Sequence, residues 1–229
     1  TGLPTKTEQG DLFQAIGASQ GDFPKVIIAP STIEDCFYST IEAFNLADQF
    51  QIPVIILSDL FLSEHMESIG NLDFNSTIER GEIVTSNDSD KLYRRFQYTD
   101  TGVSPRAFPG TSGTVFQASS DEHDDYGNII SDVFTDSETR TKIMLKRMRK
   151  MKFIAEQLPA AKLEGPADAD LTIVSWGSTY NVVHEAVQIL QNNSKSVNHL
   201  HIKYLIPLQK GIKEILSNSK DTLIIEANY

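Results

Sequence analysis

Lys25-Val26-Ile27-Ile28-Ala29, followed by Ser31-Thr32-Ile33-Glu34 and then by Pro53-Val54-Ile55-Ile56-Leu57, decides the fold. Each apolar run is short and continuous, the pattern of a strand covered on both faces. Between them, Ser31-Thr32-Ile33-Glu34 matches a capping box: the Ser31 hydroxyl accepts from the Glu34 N–H while the Glu34 carboxylate reaches back to Ser31. Ile33, Phe37, Ile41 and Phe44 then share one helical face, with Glu34, Glu42 and Asp48 elsewhere. Residues 25–57 therefore read as a β-α-β unit with parallel strands. Ser58 and Asp59 fall at a strand's carboxyl end, where open α/β sheets place ligands.

Downstream the composition changes. From about Gly70 to Asp136, Asn, Ser, Asp, Gly and Pro are frequent and no helical period persists, which is too long for an ordinary loop. Within it, Lys91–Tyr98 reads as an extended strand and Val103–Gly110 as a turn-rich segment. A helix returns over Ser137–Leu158, with Met144, Met148, Met151, Ala155 and Leu158 as its apolar stripe. Lys146, Arg147, Arg149, Lys150 and Lys152 surround that stripe as a solvated basic face. Leu163–Asp168 looks like a boundary. Beyond it a second alternating unit begins at Leu171–Ser175, and its helix carries Val182, Val183, Ala186, Val187 and Leu190 on one side. Strands around His199–Leu205 and Thr222–Ala227, the latter of buried character, flank a short helix near Gly211–Ser217. Residues 165–229 thus read as a smaller parallel β-α-β-α-β unit.

The chain has 20 basic and 31 acidic residues and a formal charge of −11, which disfavours sequence-independent binding to nucleic acid or anionic lipid. Its 40% hydrophobic content is ample for packed cores over 229 residues. The single cysteine, Cys36, reads as a core residue and forms no disulfide or cysteine-based metal site within this chain, which fits a reducing cytoplasm. No apolar run reaches the roughly 20 residues of a membrane helix. At the start, Thr1–Asp11 is a polar loop without a leading strand, so the sequence reads as a fragment truncated at both ends.

Most candidate chemistry is weak. Trp176-Gly177-Ser178-Thr179 joins a strand to a helix but lacks the three-glycine and Gly-Lys-Ser/Thr phosphate signatures, so ordinary turn and cap duty is expected. Asp121-Glu122-His123-Asp124-Asp125 misses calcium-loop spacing and reads as a solvated acidic loop or a salt-bridge partner for a basic surface. His199 and His201 alternate on one strand face, not at the helical spacing of a zinc pair, and read as structural. His65 and His184 have no partner visible in sequence. The opening loop is different. Pro4 restricts Leu3 to extended conformations, which displays the Thr5 hydroxyl, and Thr5 with Lys6 offers a hydroxyl and a cation suited to a carboxylate or phosphate.

These residues carry a resemblance. Thr-Gly-Leu-Pro-Thr-Lys-Thr-Glu-Gln-Gly-Asp-Leu (Thr1–Leu12) resembles the substrate-side loop of the alpha subunits of 2-oxoacid:ferredoxin oxidoreductases, which are thiamine-diphosphate enzymes. Gly21–Pro30, Asp35–Tyr38, Glu42–Ala47, Gln51–Asp59, Asp100–Thr111, Ser120–Gly127, Ser175–Thr179 and Val197–Ile202 are similar to the family in the same order. The resemblance implies an α/β fold: the C-terminal part of a pyrimidine-binding domain over 1–90, an irregular excursion and linker helix over 91–164, and a truncated transketolase C-terminal-like domain over 165–229.

The same resemblance implies oxidative decarboxylation of a 2-oxoacid with coenzyme A, giving an acyl-coenzyme A, carbon dioxide and reduced ferredoxin. Thiamine diphosphate would lie against a beta subunit that holds the diphosphate, Mg2+ and an iron–sulfur cluster. Thr5 would match the threonine that hydrogen-bonds the substrate near its reacting carbon, with Lys6 beside it. The family's carboxylate-binding arginine, its pyrimidine-contacting motif and its activating glutamate lie upstream of Thr1. The alternatives are another thiamine-diphosphate enzyme subunit, transketolase-like or a 2-oxoacid dehydrogenase, and a non-catalytic α/β interaction module. The preferred 2-oxoacid, pyruvate, 2-oxoglutarate or another, is not fixed by these residues.

Overall fold

The computed structural model describes residues 5–8, 10–18, 20–88, 91–130 and 136–228. Leu3 and Pro4, on which the display of Thr5 rests, lie outside them. The chain forms two compact units: Thr1–Phe44, Pro53–Thr77 and Ala155–Tyr229 make one, and Asn45–Ile52 with Ile78–Ile154 the other.

The first unit contains two sheets. In one, β1 (Val26–Ile28) is the centre strand, parallel to β2 (Val54–Ile56) and antiparallel to β6 (Tyr204–Ile206). All three β1 side chains are fully buried, as a continuous apolar run requires, and each contributes roughly 1.5–3 kcal/mol by leaving water. The connection from β1 to β2 is α2 (Ile33–Phe50), so the expected β-α-β unit is present.

Two details of α2 differ from the sequence reading. Its cap is shifted by one residue: Thr32 Oγ1 accepts from the Asp35 N–H at 3.0 Å, and Asp35 Oδ2 accepts from the Ser31 N–H at 2.9 Å. Asp35 takes this role from the exposed Glu34 because Lys203 Nζ lies 2.6 Å from its other oxygen. Burial opposes ionisation of Asp35, but Lys203 and hydrogen bonds from Ser31 and Ser39 outweigh it and hold the carboxyl below its usual range. Second, the buried face is Ser39, Ala43, Leu46 and Phe50, while Phe44 on the expected stripe is 72% exposed. Cys36 is half-buried rather than core.

The second sheet has the order β3 (Leu163–Glu164), β5 (Val197–Ile202), β4 (Leu171–Trp176), β7 (Asp221–Ile224), with β4 parallel to both neighbours and β3 antiparallel to β5. Successive residues of β4 feed opposite faces. Ile173 packs with Val183, Val187 and Val197, and Val174 with Leu200 and Ile212. The first group includes the buried side of α5 (Tyr180–Asn192) and the second that of α6 (Ile212–Asn218). Val182, expected on the apolar side of α5, is exposed. The expected strand over 199–205 is two strands in different sheets, because at Lys203 the backbone leaves β5 and its carbonyl accepts from the Ala29 N–H at 2.8 Å. The last strand, expected to be buried, is an exposed edge in β7. Two short helices were not anticipated: α1 (Leu12–Gly17), and α3 (Leu60–Glu64), capped by Asp59 through the Leu62 N–H at 2.9 Å.

In the second unit, between α3 and the long helix α4 (Ser137–Gln157), the described residues form no helix or strand beyond the isolated bridges Ile83 with Arg106 and His123 with Ile129. The strand expected over Lys91–Tyr98 is replaced by a turn in which the Gln97 N–H donates to the Arg94 carbonyl at 3.2 Å. The stripe of α4 is also rotated. Its buried residues are Ile143, Lys146, Lys150 and Ile154, so two lysines expected in solvent lie inside, whereas Met148 is exposed.

Candidate functional site

Asp59 lies three residues beyond the end of β2, capping α3, and Ser178 follows β4, so both stand past the carboxyl ends of parallel strands. The sequence Gly177-Ser178-Thr179 forms one 3-10 turn, entered through Gly177 at φ +56°. Thr179 Oγ1 closes that turn by donating to the Trp176 carbonyl at 2.7 Å and accepting from its N–H at 3.3 Å. This is the turn and cap duty anticipated for the segment. It leaves the Ser178 hydroxyl to donate to Asp59 Oδ2, tying the two strand ends together. Beside them lies a cavity of about 180 Å³ lined by Thr7, Phe61, Ser178, Thr179, Val182, Ile225 and Ala227. Among the described residues that line it, the only polar side chains are hydroxyls.

The opening loop reaches this cavity through Thr7. Thr5 and Lys6 are exposed and do not line it. Thr5 has φ +59°, a left-handed conformation that a β-branched residue adopts at a cost of about 1–3 kcal/mol. The loop that was singled out from sequence therefore carries backbone strain two residues before Thr7, which lines the cavity.

The remaining candidates separate clearly. Arg106 pairs with Asp48 at 3.0 Å and donates to the Arg80 carbonyl at 3.2 Å, while Arg80 pairs with the same carboxylate at 2.5 Å. In the acidic run, Glu122 binds Arg140 and Arg147, Asp125 binds Arg94, and Asp124 accepts from the N–H groups of Tyr126 and Asn128, each at 2.9 Å. The run is thus a salt-bridge partner and a turn. The second unit also holds a cavity of about 210 Å³ among Arg95, His123, Lys146, Arg147 and Lys150. Lys146 Nζ donates to the Phe96 carbonyl and to Ser104 Oγ, both at 2.6 Å, and Lys150 Nζ to the Gln51 carbonyl at 3.2 Å. Burial, reinforced by neighbouring cations, lowers Lys146 to about 7 and Lys150 to about 8.

A histidine cluster in the first unit was not anticipated as a group. Ser175 Oγ lies 2.6 Å from His199 Nε2 and 2.9 Å from His201 Nδ1, and all three are on β4 and β5. Glu164 Oε2 lies 2.9 Å from His184 Nδ1 and 3.8 Å from His199 Nδ1, while Tyr180 donates to Glu164 Oε1 at 3.0 Å. Burial lowers His201 to about 4, so it is neutral at physiological pH. The only sequence signal was the alternation of His199 and His201; the approach of Glu164 and His184 comes from the β3 to β5 pairing and the first turns of α5.

Comparison with known proteins sets this geometry in context. Residues 1–144 match the family described as "Pyruvate flavodoxin/ferredoxin oxidoreductase, thiamine diP-bdg". The chain belongs to this pyruvate flavodoxin/ferredoxin oxidoreductase family. Among curated relatives in the family, 2-oxoacid:ferredoxin oxidoreductase 2, subunit alpha, of Aeropyrum pernix is 34% identical over 100% of this chain and 35% of its own length. The 2-oxoglutarate oxidoreductase subunit KorA of Mycobacterium tuberculosis is 30% identical over 100% of this chain and 34% of its own. A solved 2-oxoglutarate:ferredoxin oxidoreductase from Magnetococcus marinus, with 2-oxoglutarate, coenzyme A and succinyl-CoA bound, superposes with a TM-score of 0.88 at 30% identity, covering 100% of this chain and 39% of that one. The chain therefore spans about a third of the length of these curated relatives. Its α/β fold and the resemblance read from its motifs are those of this family. No helix among the described residues is long and apolar enough to cross a membrane.

Proposed function

We propose that the chain is part of the alpha subunit of a 2-oxoacid:ferredoxin oxidoreductase, which decarboxylates a 2-oxoacid oxidatively with coenzyme A to give an acyl-coenzyme A, carbon dioxide and reduced ferredoxin. The observation that carries this reading is the match of the whole chain to alpha subunits of that name. Thr5 is the residue we place at the substrate, its hydroxyl donating to the oxygen that gains charge at the reacting carbon, with Lys6 adding a positive charge toward the substrate carboxylate. The strained backbone of Thr5 supports this role, because such conformations persist where the surrounding structure imposes them and cluster at functional sites.

Thiamine diphosphate fits this chain in part. The hydroxyl-and-apolar cavity at the strand ends suits a heteroaromatic ring, and no charged side chain among the described residues lines it to hold a diphosphate or a metal ion. Bound, the cofactor would stabilise the carbanion left by decarboxylation. Here Phe61, Val182 and Ile225 would exclude water from the ring, and Thr7, Ser178 and Thr179 would orient it. In this reading the diphosphate, Mg2+ and an iron–sulfur cluster belong to a beta subunit; Cys36, the one cysteine of this chain, cannot supply the several thiolates a cluster needs. We place residues 1–90 in the pyrimidine-binding domain, 91–164 in the excursion with its helix, and 165–229 in the transketolase C-terminal-like domain. The assembly would work in the cytoplasm.

The test uses the full-length subunit assembled with its partner. Thr5→Ala should lower 2-oxoacid turnover by about 10-fold or more, equivalent to ~1.4 kcal/mol of transition-state stabilisation, while Thr5→Ser restores it. Assembly and cofactor content should not change. Turnover unaffected by Thr5→Ala removes Thr5 from the site, and failure of the complex to oxidise any of a panel of 2-oxoacids removes the activity.

A further inference from the structure

Glu164, His184 and His199 come together on β3, α5 and β5, outside the cavity assigned above. One nitrogen from each histidine and one carboxylate oxygen all lie within 4.8 Å of one another. Glu164 Oε2 is 2.9 Å from His184 Nδ1 and 3.8 Å from His199 Nδ1. Four tetrahedral ligands with zinc bonds of about 2.0–2.1 Å stand roughly 3.3 Å apart, a separation that these two distances bracket. Glu164 and His184 are both partly exposed, so their side chains can adjust and a fourth position opens to solvent.

The second atom of each residue is already engaged. His199 Nε2 is bound by Ser175 Oγ at 2.6 Å and Glu164 Oε1 by the Tyr180 hydroxyl at 3.0 Å, while the Gln188 amide nitrogen lies 2.8 Å from His184 Nε2, where a half-turn of the amide presents its oxygen to an Nε2–H and frees the Nδ1 lone pair. Such outer partners fix the tautomer and the orientation of metal-binding side chains. They leave Nδ1 of both imidazoles and Oε2 of the carboxylate pointing at a common place. A network of hydrogen bonds alone accounts for His184 and Glu164 but not for His199. Its ring is fully buried, and its Nδ1 has no hydrogen-bond partner and is too far from Glu164 to form one.

We propose that Glu164, His184 and His199 form a binding site for a zinc-class divalent cation, with three protein ligands and one position open to water. Two imidazoles and one carboxylate favour zinc, nickel or cobalt over magnesium and calcium, which take oxygen ligands. The Ser175 to His199 contact is then part of the site, because it holds the ring that presents Nδ1.

The experiment titrates Zn2+ into the full-length subunit in its complex, and locates the ion by anomalous diffraction at the zinc edge in crystals of the same material. The expected result is an anomalous peak between the three side chains. Zn2+ affinity should fall at least about 100-fold in His184→Ala and about 10-fold in Gln188→Ala, which removes only an outer partner. His184 lies on a partly exposed helix face, so its substitution leaves the core intact; circular dichroism of each variant checks this. Binding should weaken as pH falls from 7 to 5, because protons compete with the metal for its ligands, and Mg2+ should not compete. Zinc located elsewhere, no zinc bound, or affinity unchanged in His184→Ala overturns the proposal. None of these readouts depends on 2-oxoacid turnover.

Discussion

The two units are held together by different physics. The first is built on sheets whose inner strands bury Val26, Ile27, Ile28, Val174 and Leu200 almost completely. The second, over the described residues, lacks a sheet and relies on ion pairs, on carbonyls bound by buried lysines and on backbone that touches backbone. Asp48 gathers Arg80 and Arg106, Glu122 gathers Arg140 and Arg147, and Arg94 meets Asp125. Apolar burial is nearly indifferent to the exact geometry of each contact, whereas charges inside a protein stabilise it only when each polar group is satisfied. The first unit should accordingly respond to lost volume, and the second to altered backbone and altered charge.

The largest effect is expected in the first unit. Ile27 is fully buried on β1, in a cluster with Ala15 and Leu57. Ile27→Ala should cost about 2–5 kcal/mol, from lost transfer energy and from the cavity left behind. Chemical denaturation of the full-length subunit should show this loss, and hydrogen exchange should place it in amides of β1, β2 and β6. Equal loss of protection throughout residues 78–154 would mean that the two units do not respond separately.

That difference also governs what the sequence disclosed. Val26–Ile28, Val54–Ile56 and Leu171–Trp176 were legible because burial on both faces writes a continuous apolar run, and the β-α-β connections follow from it. The rotation of α2 was not legible. Phe37, Ile41 and Phe44 carry more apolar surface than Ser39 and Ala43, yet Ser39 and Ala43 are on the buried face with Leu46 and Phe50. Nor could composition show that Lys146 and Lys150 point inward, since their acceptors are carbonyls of Phe96 and Gln51 and one neutral hydroxyl, Ser104, and none of these marks a buried cation in sequence. Thr5, which we propose at the substrate, was noticed because Pro4 precedes it, whereas Ser178 and Asp59 meet only through folding. The cluster of Glu164, His184 and His199 was hidden for the same reason.

A smaller effect, confined to the second unit, is expected at Gly102. Its φ is +81°, and a Cβ there would fall on the Lys146 carbonyl oxygen of α4. An alanine must therefore both strain its own backbone and push the helix, and neither demand is relieved by a rotamer change. Gly102→Ala should destabilise this unit by more than ~1 kcal/mol. The expected signature is faster hydrogen exchange in residues 95–106 and in α4, with β1 and β4 unchanged. Normal protection in α4 would show that the loop yields instead.

The subtlest test concerns the charge on Lys146. Its ordinary value of 10.5 is lowered to about 7 in the fold, first by burial and then by Lys150, Arg95 and Arg147. Between those two pH values the unfolded chain carries the proton and the folded chain does not, so the unfolded state binds more protons and stability rises with pH. Below about pH 7 the ammonium is charged in both states and its burial cost is present in full; above 10.5 that cost is gone. The neutral amine still has two N–H groups for its two acceptors, Phe96 and Ser104, so deprotonation sacrifices neither hydrogen bond. Lys150, lowered to about 8, adds to the same trend over the upper part of the range. The slope for one such proton is about 1.4 kcal/mol per pH unit. Lys146→Met removes it, and should flatten the rise in second-unit stability between pH 7 and 9 while leaving the first unit's pH profile unchanged. Amide exchange at residues 95–106, corrected for the intrinsic pH dependence of exchange, measures this directly. An unaltered slope would mean that Lys146 stays protonated in the folded protein across that range, balanced by charge from a source other than its two neutral acceptors.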